Sequence, residues 1–151
     1  MNVSLFPLPP REVDSGFEHV MSRYYALESE DAAGLCDLGE DSGVVEQLLV
    51  RAGAGDEVLA AVSGENVLGD DGAGTVCTFV PVEEVARIAR FLSSVSVHEV
   101  MQSAPEVLSG ILRGGIPAGY LDDLRESLDD LWKLYGLADR EGLCVAQVYE
   151  G

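Results

Sequence analysis

The apolar positions of the chain change their period several times, and each change marks an element. Val3, Leu5 and Leu8 stand among Pro7, Pro9 and Pro10, so Asn2 to Phe6 is expected as a short strand ended by the prolines. Pro9-Pro10 suits the first turn of a helix. Val13, Phe17, Val20, Met21 and Tyr24 follow at helical spacing around Gly16 and predict one helix from Arg11 to Ala26. Gly34 to Gly43 is acidic and rich in turn residues, and Asp41 or Ser42 is placed to cap a helix whose apolar face is Val44, Val45, Leu48 and Leu49. Gly53 to Gly55 ends that helix. A short apolar run, Val58 to Val62, leads into a loop from Gly64 to Gly74. Thr75 to Val80, with its β-branched and aromatic residues, predicts a strand.

The next helix has the clearest local signal. Pro81 fits the first helical position, and Val82, Val85, Ile88, Ala89 and Leu92 share one face. Glu83 stands four residues before Arg87 on the exposed side. On this reading Val80 occupies the cap position with a side chain that cannot cap, a defect of about 1 kcal/mol against Ser or Thr. Ser96 to Arg113 predicts one or two short helices, with Ser96 and Glu99 in capping-box spacing, Pro105 starting the second and Gly114-Gly115 stopping it. Leu121, Leu124, Leu128, Leu131, Tyr135 and Ala138 then repeat every three or four residues along a long helix. The repeat barely reaches the three heptads of a coiled coil, so the seam is expected to face the protein's own core. Gly142 is the expected C-cap, and Leu143 to Tyr149 the last strand.

These elements sum to three or four short strands and five or six helices. Strands at both ends and in the middle of the chain can share a small sheet of mixed direction, which predicts an α+β fold in one domain over residues 1–151. That length suits one domain and lets roughly two-thirds of the unfolded chain's surface be buried.

Composition adds charge to this picture. Twenty-seven acids against nine bases give a formal charge of −18. Such a chain repels phosphate backbones and anionic membrane surfaces, so neither direct nucleic-acid binding nor membrane binding is expected. Solubility is one consequence of the charge, and affinity for a basic protein is the other. With 47% hydrophobic and 24% charged residues, the chain is not of disordered composition. No apolar run approaches the ~20 residues of a membrane span, and Met1 to Pro10 lacks the basic start and apolar stretch of a signal peptide. Cys36, Cys77 and Cys144 are far apart and odd in number, which argues against a disulfide framework or a zinc site. Buried free thiols in the cytoplasm are the expectation.

Chemical motifs are sparse. There is no Walker loop, no GxGxxG, no HExxH and no GxSxG in the sequence. His19 and His98 are the two histidines, and each lacks a partner motif, so surface or capping positions are expected. Two acidic glycine turns look alike, Leu38-Gly39-Glu40-Asp41-Ser42-Gly43 and Leu68-Gly69-Asp70-Asp71-Gly72. Neither has EF-hand ligand spacing, and both are expected to be solvated turns. No catalytic residue, cofactor or metal is assigned. On the long helix, Asp122-Asp123 and Asp129-Asp130 are seven residues apart and share similar faces. With Glu126 they form either a solvated face or a docking patch for a basic partner.

The second half of the chain also resembles the YfbM-like family, small bacterial proteins of unknown function. The residues that carry the resemblance are Thr78-Phe79-Val80-Pro81-Val82-Glu83-Glu84-Val85, then Phe91 to Met101, then Gly115-Ile116-Pro117 before a helix with spaced Leu and a late Tyr135, then Gly142-Leu143-Cys144-Val145. Val58 to Gly69 adds a weaker match. The sequence departs from the family at Glu40-Asp41-Ser42-Gly43, where a helix start like Asp-Lys-Ala-Trp is usual. The resemblance implies an α+β fold and no particular activity. The functions that follow are, in order, a non-enzymatic interaction or regulatory module for a basic protein, an enzyme or small-molecule binder, and an acidic mimic of nucleic acid.

Overall fold

The structure is a computed structural model and describes residues 1–30 and 34–151. Five strands form one sheet: β1 (Asn2–Leu8), β2 (Cys36–Gly39), β3 (Asn66–Asp70), β4 (Thr75–Val80) and β5 (Cys144–Glu150). Their order is β2-β1-β5-β4-β3, and every neighbouring pair is antiparallel. The α+β class holds, but the sheet is larger than expected and not of mixed direction. The chain ends meet at its centre, where Asn2 pairs with Glu150 and Leu8 with Cys144.

Two of the strands lie where the sequence predicts turn and loop. β2 is four residues long and β3 carries an irregularity between Val67 and Gly69, so neither shows a run of alternating apolar residues long enough to register. β1 extends through Pro7 to Leu8 instead of ending at Phe6. Pairing with β2 stops at Leu5, so Pro7 sits where β1 has become a sheet edge and a missing N–H is tolerated.

Eight helical segments are present among the described residues. The single helix expected over Arg11 to Ala26 is two, α1 (Pro10–Asp14) and α2 (Phe17–Ser29). Gly16 separates them with a φ of 96°, a conformation that breaks a helix and suits glycine. α3 (Ser42–Arg51) buries Val44, Val45, Leu48 and Leu49 as its spacing predicts. The run at Val58 is the one-turn helix α4 (Asp56–Leu59).

α5 (Val82–Ser94) starts one residue later than expected. Pro81 is its N-cap, and Val80 is the last residue of β4, fully buried and paired with Val145. Val80 therefore sits in the core and is not a failed cap. α6 (Val97–Met101) is capped as predicted, the Glu99 N–H donating to Ser96 Oγ at 3.1 Å. α7 (Ala104–Ser109) has Pro105 in its first turn. α8 (Tyr120–Glu141) buries Leu124, Leu128, Leu131, Leu134, Tyr135 and Ala138 in the core, so the seam faces inward. It ends in a Schellman motif, with Leu143 N–H on the Ala138 carbonyl and Gly142 N–H on that of Asp139.

Helices cover both faces of the sheet. On one face α1 and α2 pack Val13, Val20, Met21 and Tyr24 onto Phe6, Leu8, Cys77, Cys144, Ala146 and Val148. On the other, α3 to α8 pack onto Val3, Leu5, Cys36, Leu38, Val80 and Val145. Covering both faces removes the polar alternation from β5, whose first five residues, Cys-Val-Ala-Gln-Val, are all buried.

Candidate functional site

The apolar stripe of α8 fixes which way its acids point. Asp122, Asp123, Glu126, Asp129 and Asp130 lie off that stripe, and all five are exposed. Asp122 and Asp123 also fall in the first turn, where the partial positive charge of the helix end favours carboxylates. Among the described residues, ion pairs within 4 Å involve the acids Glu12 and Glu106, and none involves an acid of α8. The five acids outnumber the two bases, Arg125 and Lys133, that lie among and just beyond them on the helix, so the face is net negative.

The tertiary structure brings further acids to it. The hydroxyl of Tyr120, at the start of α8, donates to Asp41 Oδ1 at 2.5 Å. Burial and that carboxylate hold the Tyr120 phenol above its usual range. Asp41 stands at the N-cap of α3 but makes no capping bond, because its carboxylate is turned to Tyr120. The Glu40-Asp41 turn thus lies against the acidic helix. Farther along, Asp130 approaches β2. Burial foremost, then the charges of Asp130 and Asp37, push the Cys36 thiol up to about 12.

The second acidic turn, alike in sequence, does something else. Asp71 Oδ1 accepts the N–H groups of Ala73 at 2.8 Å and Thr75 at 3.0 Å, and Asp70 Oδ1 accepts that of Gly72 at 2.9 Å. Those bonds lower the carboxyl of Asp71 and shape the β3–β4 hairpin. No group of three or more His, Cys, Asp or Glu side chains placed to hold a metal occurs among the described residues. His19 Nε2 lies 3.1 Å from Glu12 Oε1 at the surface, and His98 is exposed on α6. All three cysteines are free and buried.

The polar constellation that spacing did not reveal is in the core. Gln147, on β5, is fully buried. Its Nε2 donates to the carbonyls of Ala60 and Ala61 at 2.7 and 3.0 Å, and its Oε1 accepts from Thr78 Oγ1 at 2.6 Å. Tyr135 and Tyr149 donate to the carbonyls of Ala61 and Val62 at 2.8 and 3.0 Å, and the Gly64 N–H donates to the Tyr149 hydroxyl. Three side chains from two elements, Gln147 and Tyr149 of β5 and Tyr135 of α8, thereby satisfy an irregular segment, with Thr78 holding Gln147 in place, as buried backbone requires. The signal was one glutamine inside an otherwise apolar strand. Trp132 was missed likewise: its indole N–H bonds the Leu92 and Val95 carbonyls and locks α8 to the end of α5.

An antiparallel α+β protein with helices on both sheet faces and a net-acidic exposed helix face is the class these features define. The crystal structure of YfbM from Escherichia coli, a protein of unknown function, matches it over 99% of both chains, with a TM-score of 0.60 at 18% identity. The chain has a YfbM-like fold, and that likeness is one of fold. No family model matches the sequence. A curated NAD kinase from Acidithiobacillus ferrooxidans is 28% identical over 126 residues, 82% of this chain. The chain spans 38% of the length of that kinase. No helix among the described residues is long and apolar enough to cross a membrane.

Proposed function

We propose that residues 1–151 form one cytoplasmic domain that acts without catalysis, docking a basic protein through the acidic face of α8. The observation that carries this reading is that Asp122, Asp123, Glu126, Asp129 and Asp130 are all exposed and, among the described residues, none has a basic group within 4 Å. Asp41, held by the Tyr120 hydroxyl, extends the charge beyond the helix. A face of this kind steers and orients a cationic surface more than it adds raw affinity.

A small-molecule binder is the second reading, and the NAD kinase relative is what favours it. Against it, the groove between α4 and α5 is lined by Asp56, Glu57, Glu65 and Glu84 beside Arg87, an arrangement that repels a phosphate.

Capture from lysate at low and high salt tests the choice. The docking reading expects a basic protein that is released at high salt and is no longer held by the Asp123→Asn, Asp130→Asn double variant. Capture insensitive to both salt and the double variant, or a co-purifying nucleotide, would overturn it.

A further inference from the structure

The sheet face opposite α8 carries a groove of different character. It runs between α2 and the β3–β4 hairpin, is open to solvent and encloses about 420 Å³. Phe17, Met21 and Tyr25, spaced four apart on α2, form an apolar wall. Glu18 and Asp71, each bearing a carboxylate, also line it.

The groove's walls are already held in place. Tyr25 is 51% exposed, yet its ring is braced by that of Tyr24, 5.4 Å away at 51°. Tyr24 is anchored in turn by its hydroxyl, which lies within hydrogen-bond distance of Glu28 and Glu150 carboxylates. The Asp71 carboxylate is fixed by two backbone N–H groups that also favour its charged form. Gly69 lies against Phe17 so closely that a Cβ there would stand 3.0 Å from Phe17 Cβ and Cγ.

An aromatic and aliphatic wall with carboxylates in the same lining suits one ligand chemistry, an alkyl chain that ends in a cation. A neutral apolar ligand would crowd the carboxylates without replacing their water. A metal ion would gain nothing from Phe17 or Met21. Lysine and arginine side chains bring an apolar stem and a charged head together, and their heads bind aromatic faces. We propose that this groove seats a lysine or arginine side chain of a basic protein segment, the stem along Phe17 and Met21 and the cation between Tyr25 and Asp71. The proposal rests on the part of the docking reading that gives the chain a basic protein partner, and it adds a contact on the sheet face opposite α8.

The test titrates acetylated and amidated lysine into isotope-labelled protein, with the norleucine analogue as the uncharged control. Salt near ~0.15 M screens charges farther off than about 8 Å. Lysine is expected to shift the amides of Phe17, Met21, Tyr25 and Asp71, and norleucine to leave them in place. Tyr25→Leu should weaken lysine binding about twofold to fivefold, the range of an exposed cation–π contact. Asp71→Asn keeps the oxygen that accepts the turn N–H groups and should weaken binding comparably. Both residues are exposed, and unchanged spectra elsewhere will verify the fold of the variants. Asp123→Asn with Asp130→Asn should leave lysine at the groove unaffected.

Equal shifts with norleucine, no shifts at all, or indifference to both groove variants would overturn the proposal. Lysine shifts confined to α8 would overturn the groove while leaving the docking reading intact. A basic protein held by α2 and indifferent to the α8 variant would overturn the docking face and keep the groove.

Discussion

The two sides of the sheet are built to different depths. Among the described residues, ten buried side chains form the core on the side of α1 and α2, whereas twenty-seven lie on the side of α3 to α8. A fully buried Val, Leu, Ile, Phe or Met side chain contributes about 1.5–3 kcal/mol, so the thick side carries most of the stability. It also carries the buried polar network, which couples Gln147 and Thr78 of the sheet to Tyr135 of α8. The thin side is a helical pair broken at Gly16, with Tyr25 exposed and the groove along α2. Segments with few buried apolar contacts open at lower cost than the global fold. Stability and surface chemistry are thus divided between the layers, the deep layer holding the fold and the shallow one offering an apolar groove.

Alkaline pH should bring the largest effect. Burial raises the phenols of Tyr135 and Tyr149, and it raises the thiols of Cys36 and Cys77 from the usual 9 to about 12. Each group holds its proton more tightly in the folded chain than in the unfolded one. Its contribution is therefore whole below the unfolded value and is lost as pH rises through the folded one. Denaturant midpoints should fall as pH climbs from about 9 to 12, ending in loss of the fold. Hydrogen exchange followed through that window should release α2 before α8. The reverse order would invert the comparison.

Leu128→Ala should come next. Leu128 is fully buried on the thick side, and truncating such a leucine costs about 2–5 kcal/mol. Chemical denaturation should show the whole loss in a shifted midpoint. Loss of a dimer with an unchanged midpoint would instead make the α8 seam an interface.

Gly64→Ala probes the polar network that distinguishes the thick side. A Cβ on Gly64 would fall 1.9 Å from Gln147 Oε1 and 2.8 Å from Thr78 Oγ1. Relief requires moving Gln147 and breaking at least one of its bonds. Overpacking and the lost bond together should cost about 2–4 kcal/mol. A neutral result in thermal melts would mean that the 60–64 segment shifts freely and that the network does not clamp it.

What the sequence made legible follows from length and period. α3, α5 and α8 present three or more apolar residues to a single core, and their faces were readable from spacing alone. The Ser96–Glu99 cap was readable because its chemistry is local. β2 and β3 were not, since four residues and a bulged five leave no period to count. The two acidic turns show the same limit at the level of the site. Asp41 and Asp71 sit in near-identical strings, yet one reaches across 79 positions to Tyr120 and the other bonds its own hairpin. The exposure of the α8 acids followed from helix spacing, but the approach of Asp41 to the start of that helix depends on a tertiary contact.

Val80→Thr sharpens the boundary between local and tertiary reading. Local reading makes it a restored cap and a gain. In the structure Pro81 occupies the N-cap position of α5, and Val80, the last residue of β4, is wholly buried in the thick core. A hydroxyl placed there without a partner costs about 1–3 kcal/mol. Urea melts should show a loss of that order, and a gain would restore Val80 to the cap position.

Asp123→Asn with Asp130→Asn should change stability least. Both carboxylates are exposed on α8 with no ion-pair partner among the described residues, so neutralising them breaks no ion pair there. Like charges four residues apart on a helix, such as Glu126 and Asp130, repel by about 0.2–0.5 kcal/mol. Removing one relieves that repulsion, while Asp123 gives up a small favourable interaction with the helix end. The two changes nearly cancel, and the unfolding midpoint should stay level or rise slightly. Binding should respond in the opposite sense, because a cationic partner feels the whole field of the face. Affinity for a captured basic protein should fall, and its dependence on salt should flatten. A partner that ignores both substitutions while still losing affinity with Asp71→Asn would move the docking site from the deep side of the sheet to the shallow one.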